Sequence, residues 1–541
     1  MKKTALLFFI FLFITAIVVV PLIITSCPDN ESNKKDLARE DDGWTDEDVT
    51  RITVLEYFQQ LRALPASKTV MAGHNDEPNT RPGKDTDNYS SWTGKYPAMW
   101  SGDFLYQDRD AAPEGRWAMI REARRQWEMG NIIHLMFHVI SVKNPSNTDV
   151  DQGSTWSTAN TNIPAVGGSG PSLNDSDWAD LLTEGGTLNT RWKERLKVYY
   201  PYFQYLKDYG VTVMFRPFHE MNQTFFWWGS TAANAQTRTA ALYRMTKDIF
   251  DAQGYDNLVW VWNMQDLNIG STTQSTIAAW TPFDPNTGQE KNYWDIFCVD
   301  LYEVFTYPDW MHDAATTVSG GPTGKPIGIG EVYTLPTPAQ LTRQPNWVFA
   351  MPWPKDLRTT PAQMATLFEA ENAVVHGMLP PFVRGDTVNK VRNPGFIALY
   401  EDESLPRAWS TSWSGTGNPL KVEHGRLVGN SPSYSFTLSQ VITGLTSGTY
   451  EFSIFVKKAN TTVLGPQSLT MNVYSGDDKI ATKNISSIVA GLMTQNVNNT
   501  LSNDEWIDLD VNVTTSSVKI EIVGANIRNY LALSGASFRK K

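Results

Sequence analysis

Short apolar runs alternate with helical patterns between Ile52 and Val391. Eight of these runs are candidate strands: Thr69–Ala72, Tyr96–Trp100, Ile132–Phe137, Val211–Phe215, Leu258–Trp262, Ile296–Val299, Ile327–Ile329 and Trp347–Met351. Unbroken apolar strands between helices are typical of a parallel sheet, because helices cover both of its faces. Eight strands in roughly 340 residues predict an α/β fold of the (β/α)8 TIM-barrel type. A doubly wound open sheet would produce the same pattern.

Two of the helical patterns are long enough to predict helices of several turns. The apolar residues of Trp192–Tyr209 recur close to the helical period, and those of Ala232–Phe250 do likewise. A glycine follows each pattern, Gly210 in the first case and Gly254 in the second, and glycine commonly ends a helix. The sequence therefore predicts one helix over each range.

Beyond residue 391 the helical pattern gives way to alternation of apolar and polar residues. It is clearest in Thr449–Val456, Leu469–Val473 and Val518–Ile522, which turns rich in Gly, Ser and Asn separate. Such alternation is typical of antiparallel strands with one buried face. We therefore predict a barrel domain over residues 49–390, followed by an all-β, jelly-roll-like sandwich over residues 391–541.

The N-terminus has the features of an export signal. Two lysines precede an almost wholly apolar run, Thr4–Ile24, and Ser26 precedes Cys27. This order resembles a bacterial lipoprotein signal peptide, residues 1–27, with Cys27 as the lipidated residue. Residues 28–48 are polar and predict a tether. We expect an extracytoplasmic protein, lipid-anchored in the bacterial cell envelope or at the cell surface; an uncleaved membrane anchor is the alternative.

Composition narrows the class of ligand. The net charge of −11 and the absence of clustered Lys and Arg argue against nucleic-acid binding. The chain has 20 Trp, 20 Tyr and 24 Phe, and such rings suit the faces of sugars, although large cores also use them. Two cysteines exclude a disulfide framework, and dispersed histidines argue against a catalytic metal. We expect no cofactor, no metal and a monomeric protein.

Two glutamates stand at the ends of candidate strands. Glu220 follows the fourth strand, and Glu331 directly follows the seventh. In a (β/α)8 barrel both strand ends face one cleft, which is where such enzymes carry their catalytic groups. Aromatic neighbours raise the pKa of a carboxyl and an arginine lowers it, so this segment suits a general acid. Most glycoside hydrolases cleave their substrate with two carboxyl groups that flank the glycosidic bond.

The stretch from Arg216 to Gly229 resembles the acid/base signature of glycoside hydrolase family 26, through Arg-Pro-Phe-His-Glu-Met-Asn at 216–222 and Trp-Trp-Gly at 227–229. The resemblance covers most of the barrel, residues 52–356, and none of the C-terminal domain. It implies a retaining (β/α)8 enzyme with Glu220 as acid/base and Glu331 as nucleophile. It further implies substrate-binding roles for His138, Arg216, His219, Asn222, Phe225, Trp228, Tyr302 and Trp353. Phe225 and Gln223 depart from the Trp and Gly common in this loop, which bears on leaving-group preference.

In the C-terminal domain, Asn393–Phe396 resembles the start of a carbohydrate-binding module. Trp409, Trp413, Tyr434 and Trp506 are candidates for stacking on sugars, although burial in a core would account for such aromatics equally well. A sandwich that acts only as a spacer is the alternative interpretation.

The sequence thus predicts a retaining endo-β-1,4-mannanase that acts on mannan, glucomannan or galactomannan. Within the same chemistry, mixed-linkage β-glucan or β-1,3-xylan remains open as the substrate. From another class, a non-catalytic surface lipoprotein that binds glycan remains open, and detectable hydrolysis would exclude it.

Overall fold

The computed structural model describes residues 51–75, 81–104, 114–145, 173–268, 272–283, 293–302, 307–383, 389–391, 408–415, 420–459, 461–492 and 504–541. The predicted signal peptide with Cys27, the tether and Asn393–Phe396 lie outside these residues. No helix within the described part of the chain is long and apolar enough to cross a membrane.

Eight parallel strands close into a barrel, as the apolar runs predict. They are β1 (Thr69–His74), β2 (Met99–Asp103), β3 (Ile132–Phe137), β4 (Val213–Pro217), β5 (Leu258–Gln265), β6 (Ile296–Leu301), β7 (Ile327–Val332) and β8 (Trp347–Pro352). Each strand pairs with its successor, and β1 pairs with both β2 and β8, which closes the circle. The barrel excludes the open sheet. A two-residue strand, β9 (Ala373–Val374), pairs with the first two residues of β1.

Helices connect the strands and cover the outside of the barrel. They are α1 (Val54–Ala63), α2 (Lys84–Thr93), α3 (Glu114–Glu128), α4 (Asp175–Leu182), α5 (Thr187–Lys197), α6 (Tyr200–Asp208), α7 (Thr239–Ala252), α8 (Asp309–Val318), α9 (Pro338–Arg343) and α10 (Pro361–Glu369). The helix expected over Trp192–Tyr209 is two helices, because Pro201 sits in the first turn of α6 and cannot continue α5. Similarly, the 232–250 pattern holds a short 3₁₀ turn, Ala235–Thr237, before α7.

The C-terminal region is antiparallel sheet with one short helix. Its elements are β10 (Ser410–Gly415), β11 (Leu420–Glu423), β12 (Arg426–Ile442), β13 (Gly448–Lys458), β14 (Leu469–Ser475), β15 (Asp478–Asn484), α11 (Ser486–Gly491), β16 (Asp504–Val513) and β17 (Val518–Lys540). The first half of β17 pairs with β14 and the second half with β13, while β12 runs beside both halves. Because β12 and β17 bend from one group of strands into the other, both groups enclose a single apolar core.

Helix α3 packs against β16 and the second half of β17 where the barrel meets the C-terminal sheet. The Arg125 guanidinium lies 3.3 Å from Ser534 Oγ, and Arg539 pairs with Glu128. Trp506 donates its indole N–H to the Arg121 carbonyl at 3.1 Å. Every residue from Leu531 to Arg539 is buried, so the alternation of buried and exposed positions seen earlier in β17 is lost there. This face of the sheet is therefore an internal surface of the protein.

Candidate active site

The loop after β4 brings Glu220 to the mouth of the barrel in an unusual backbone conformation. Phe218 and Glu220 have positive φ angles of 52° and 48°, a region that residues with a Cβ rarely adopt. The Glu220 N–H donates to Asn263 Oδ1 at 2.5 Å, and Asn263 belongs to the neighbouring strand β5. A tight turn directed by a neighbouring strand thus holds the glutamate, which is buried.

Glu331 reaches the same place through an irregularity in β7. Val299 pairs with Ile329 and Asp300 with Glu331, so Gly330 is an extra residue on β7, as in a β-bulge. A side chain at position 330 would collide with Asp300 and Arg216, so glycine is required for this close approach. The bulge turns Glu331 toward the interior beside Asp300.

Three carboxylates therefore meet at the mouth of the barrel. Oxygens of Glu220, Asp300 and Glu331 all lie within 4.8 Å of one another. Arg216 lies among them: its Nη1 donates to Asp300 Oδ1 at 3.0 Å, and its Nη2 donates to Glu331. The hydroxyl of Tyr302 donates to the other Glu331 oxygen. Glu331 is thus held by two donors, and the Arg216 guanidinium joins Asp300 and Glu331.

The surroundings raise the pKa of two of these carboxyls, Glu220 and Asp300. Burial raises the pKa of Glu220 well above its ordinary value, and the charges of Asp300 and Glu331 raise it further, while Arg216 opposes them. Burial also raises the pKa of Asp300 well above its ordinary value, as does the charge of Glu331, whereas Arg216 and a hydrogen bond from Asn263 lower it. Glu220 consequently favours its protonated form, which a general acid requires. The site thus places a candidate general acid next to Glu331, a carboxyl that two donors hold.

Two histidines form one wall beside the carboxylates. The rings of His138 and His219 lie 3.9 Å apart, centroid to centroid. Asp103, at the end of β2, accepts a 2.5 Å hydrogen bond from His138 Nδ1. Burial lowers the pKa of His219 well below its ordinary value, and the neighbouring His138 and Arg216 lower it further. His219 is therefore neutral, and Asp103 fixes the orientation of His138.

Aromatic side chains of the site come from two places, the loop after β4 and the end of β8. Phe226 and Trp228 stack at 4.7 Å with nearly parallel planes, next to His219. Phe225 beside them is 40% exposed. Trp353, which follows β8, stacks on His74 at 5.0 Å. Ring surfaces thus come from the loop after β4 and from the end of β8.

Of the residues singled out from sequence, three lie behind the surface of the site. Arg216 is fully buried beneath the carboxylates. Asn222 donates to the Gln265 carbonyl at 2.7 Å and accepts from the Gln265 N–H at 2.8 Å. Trp228 is buried and donates to the His219 carbonyl at 2.9 Å. These side chains are engaged within the protein, whereas Tyr302 and Phe225 are at least partly exposed.

Sequence reasoning missed Asp103, Asn263 and Asp300. Each is a polar residue inside or at the end of a strand that is otherwise apolar. Because barrel interiors are normally filled by Val, Ile and Leu, a polar residue at an inward position is a signal of function. Applied to Leu258–Gln265 and Ile296–Leu301, that signal would have identified Asn263 and Asp300.

Comparison with known proteins agrees with this architecture. "Mannan endo-1,4-beta-mannosidase A and B" of Caldalkalibacillus mannanilyticus is 27% identical over 280 residues, 48% of this chain and 47% of that protein. A "Mannan endo-1,4-beta-mannosidase" of Thermothelomyces thermophilus is 24% identical over 302 residues, 55% of this chain and 54% of that protein. The chain thus spans about half the length of these relatives.

The solved structure of "GH26A from Muricauda sp. MAR_2010_75" superposes with a TM-score of 0.50 at 23% identity, covering 61% of this chain and 98% of that one, which supports the fold. The sequence profile described as "Glycosyl hydrolase family 26" matches residues 46–316, half of the chain, including the acid/base loop and excluding Glu331. The closed barrel, the loop that carries Glu220 and this match lead to one conclusion: the chain belongs to glycosyl hydrolase family 26.

Proposed function

We propose that the protein is a retaining glycoside hydrolase, an endo-β-1,4-mannanase that acts on mannan, glucomannan or galactomannan. The observation that carries the mechanism is the pair Glu220 and Glu331, whose nearest oxygens lie within 4.8 Å. Retaining enzymes place their carboxyls about 5–5.5 Å apart, while inverting enzymes need about 6.5 Å or more for an intervening water. The spacing therefore supports double displacement.

In the proposed reaction Glu331 attacks the anomeric carbon, and the glycosidic C–O bond breaks as Glu220 gives its proton to the departing oxygen. A covalent glycosyl-enzyme results, and Glu220 is now ionised. Water then enters, Glu220 takes a proton from it, and the resulting oxygen attacks the anomeric carbon and releases Glu331. The second step returns both glutamates to their starting states, with Glu220 protonated and Glu331 released.

The surrounding residues receive roles that follow from their contacts. Arg216 and Tyr302 hold Glu331 through one oxygen each, so they orient the nucleophile. His138, His219, Phe225 and Trp353 are proposed to contact sugar. Asn222 and Trp228 support the walls, because their polar atoms bond to neighbouring backbone.

The choice of mannan rests on relatives and on charge. Two relatives carry the name mannan endo-1,4-beta-mannosidase, and the chain's net charge of −11 suits a neutral polymer better than a polyanion. Mixed-linkage β-glucan and β-1,3-xylan require the same chemistry and differ only in the sugar-binding walls.

The test is reducing-sugar release from galactomannan, glucomannan, mixed-linkage β-glucan and β-1,3-xylan by the chain from Pro28 onward. We expect rapid release from the two mannans and its loss in Glu220→Ala and Glu331→Ala. Glu184→Ala is the matched control, since that glutamate side chain is 84% exposed. Proton NMR of the first product should show the β-anomer. Activity confined to the glucan or the xylan would overturn the substrate, and an α-anomer the mechanism. A folded protein inactive on all four would instead support the non-catalytic glycan-binding lipoprotein.

We further propose that Cys27 carries a lipid that anchors the mature protein outside the cytoplasm, in the cell envelope or at the cell surface. The support is the charged start, the apolar run Thr4–Ile24 and the small residues before Cys27. Radiolabelled palmitate should enter the wild-type protein and not Cys27→Ser. Equal labelling of both would refute the lipoprotein assignment.

For the C-terminal sheet we propose glycan binding at Trp413. Of the four stacking candidates, Trp409, Tyr434 and Trp506 are buried, whereas Trp413 is 39% exposed. Insoluble mannan should retain the inactive Glu220→Ala protein, and adding Trp413→Ala should weaken that retention. If Trp413→Ala has no effect, the domain is a spacer.

A further inference from the structure

We propose that Asn263 is a positioning residue that holds Glu220 in its left-handed backbone conformation and couples it to the carboxylate network of Glu331. The proposal rests on the proposed function, because it concerns how the acid/base is held. It is supported by the backbone of the turn, by the two polar ends of the Asn263 amide and by the route of hydrogen bonds beyond it.

The turn that carries Glu220 needs an external restraint. Phe218 and Glu220, separated by one residue, both have positive φ angles. Side chains with a Cβ disfavour this region, so such residues persist only where their surroundings impose the conformation. The Glu220 backbone itself receives that restraint, since its N–H donates to Asn263 Oδ1 at 2.5 Å.

The other end of the Asn263 amide points to a carboxylate. Its Nδ2 donates to Asp300 Oδ1 at 2.7 Å, and the side chain is completely buried. A backbone N–H on one side requires an acceptor, and a carboxylate on the other side requires a donor. Only a primary amide of this length supplies both, because aspartate would place a second negative charge against Asp300.

A continuous route of hydrogen bonds follows from this arrangement. It runs from the Glu220 backbone to Asn263, from Asn263 to Asp300, from Asp300 to Arg216, and from Arg216 to Glu331. The residues come from β4 to β7 and the loop after β4, so the route crosses four adjacent strands. Asn263 is the step that joins the acid/base to the part holding the nucleophile.

Removing the amide should affect one glutamate more than the other. In Asn263→Ala the Glu220 N–H loses its acceptor, and the turn is free to leave the left-handed region. Glu331 keeps its hydrogen bonds from Arg216 and Tyr302. Acid/base assistance should therefore fail while the nucleophile stays in position, and a misplacement of about 1 Å commonly costs about 10²-fold in rate.

The experiment separates these two functions by leaving group. Asn263→Ala is compared with wild type and Glu220→Ala on galactomannan and on 2,4-dinitrophenyl β-mannobioside, with and without sodium azide. Dinitrophenolate departs without a proton, and azide attacks the glycosyl-enzyme without a base. We expect kcat/KM on galactomannan to fall about 100-fold. With azide, turnover of the aryl substrate should return to within about 10-fold of wild type, as a milder form of the Glu220→Ala behaviour.

Equal losses of kcat/KM on both substrates, without recovery in azide, would overturn the proposal, because a merely structural role would reduce every step alike. If Asn263→Ala does not fold, Asn263→Gln displaces the amide by one methylene, and the same loss on galactomannan with recovery in azide is expected of it. Failure of Glu220→Ala to show azide recovery would refute the assignment of Glu220 itself. Recovery in Glu220→Ala alone would refute only the role of Asn263.

Discussion

The ion pair between Arg539 and Glu128 joins the C-terminal sheet to the barrel, and its removal should destabilise the whole protein. The Glu128 side chain is completely buried at the end of α3, and that of Arg539 is 5% exposed. The second Glu128 oxygen accepts from Asn389 Nδ2 at 2.9 Å. Arg539→Met keeps much of the buried volume and removes the cation, which leaves an ionised carboxylate in the interior with a neutral donor.

The magnitude follows from the burial of the partner left behind. Removing one member of a buried pair costs about 3–5 kcal/mol, and the amide of Asn389 places this site near the lower end, about 3 kcal/mol. A matched control lies two residues away, where Lys541 Nζ is 2.5 Å from Asp510 and the two side chains are 44% and 61% exposed. Lys541→Met should cost less than about 1 kcal/mol, because water screens an exposed pair.

The assay is equilibrium unfolding in urea at pH 7, followed by tryptophan fluorescence. Glu128→Gln alone and Arg539→Met with Glu128→Gln complete a double-mutant cycle. The double variant removes both charges and should recover part of the loss, and the cycle gives the coupling free energy between the two positions. If Arg539→Met lies within about 1 kcal/mol of wild type, as Lys541→Met is expected to, then the charges across this contact do not hold the two regions together.

Three further predictions concern the barrel. Because the pKa of Glu220 is raised, its contribution to folding stability is present below about pH 4.5 and is lost as the pH rises through the raised pKa. Thermal unfolding should therefore show Glu220→Gln to be more stable than wild type at pH 8 and similar to it at pH 4. Equal stability of the two proteins at pH 8 would contradict this. Asp103→Asn should reduce kcat/KM on mannan about 10- to 100-fold by misorienting His138, with the thermal midpoint little changed; an unchanged kcat/KM would refute it. Burial raises the pKa of the Cys298 thiol to about 12, so iodoacetamide should label the chain from Pro28 onward only after denaturation, and rapid labelling of the native protein would contradict that burial.

Much of the barrel could be predicted because each strand contains a short apolar run that is buried. The eight predicted runs correspond to the eight strands, and nine of the sixteen strand ends differ from the prediction by one to three residues. The prediction of one continuous helix over Trp192–Tyr209 was wrong. The apolar periodicity continues past Pro201, but the helical hydrogen bonding is interrupted before it. Apolar periodicity indicates which face of a helix is buried, whereas proline indicates where the helical hydrogen bonds of the backbone must end.

The C-terminal aromatics show what composition cannot supply. Trp506 was a candidate for stacking on sugar, and instead it lies between barrel and sheet, with the Arg124 guanidinium 3.7 Å from its ring. An aromatic that faces solvent and one that covers another domain occupy the same kind of position in an alternating strand. Only the packing of α3 against β16 distinguishes them.

By itself the sequence determined the positions of the eight strands, the antiparallel region after them, and the two glutamates at strand ends, because these depend on local periodicity and on the order of strands. Closure of the sheet into a barrel was decided by the pairing of β1 with β8. The tertiary structure alone decided the 4.8 Å approach of the carboxylates, the restraint of Glu220 by Asn263 and the sharing of Arg216 between Asp300 and Glu331. Those features join residues far apart in the chain. Their distances depend on barrel closure and on the bulge at Gly330, and burial in the assembled barrel raises the pKa of Glu220.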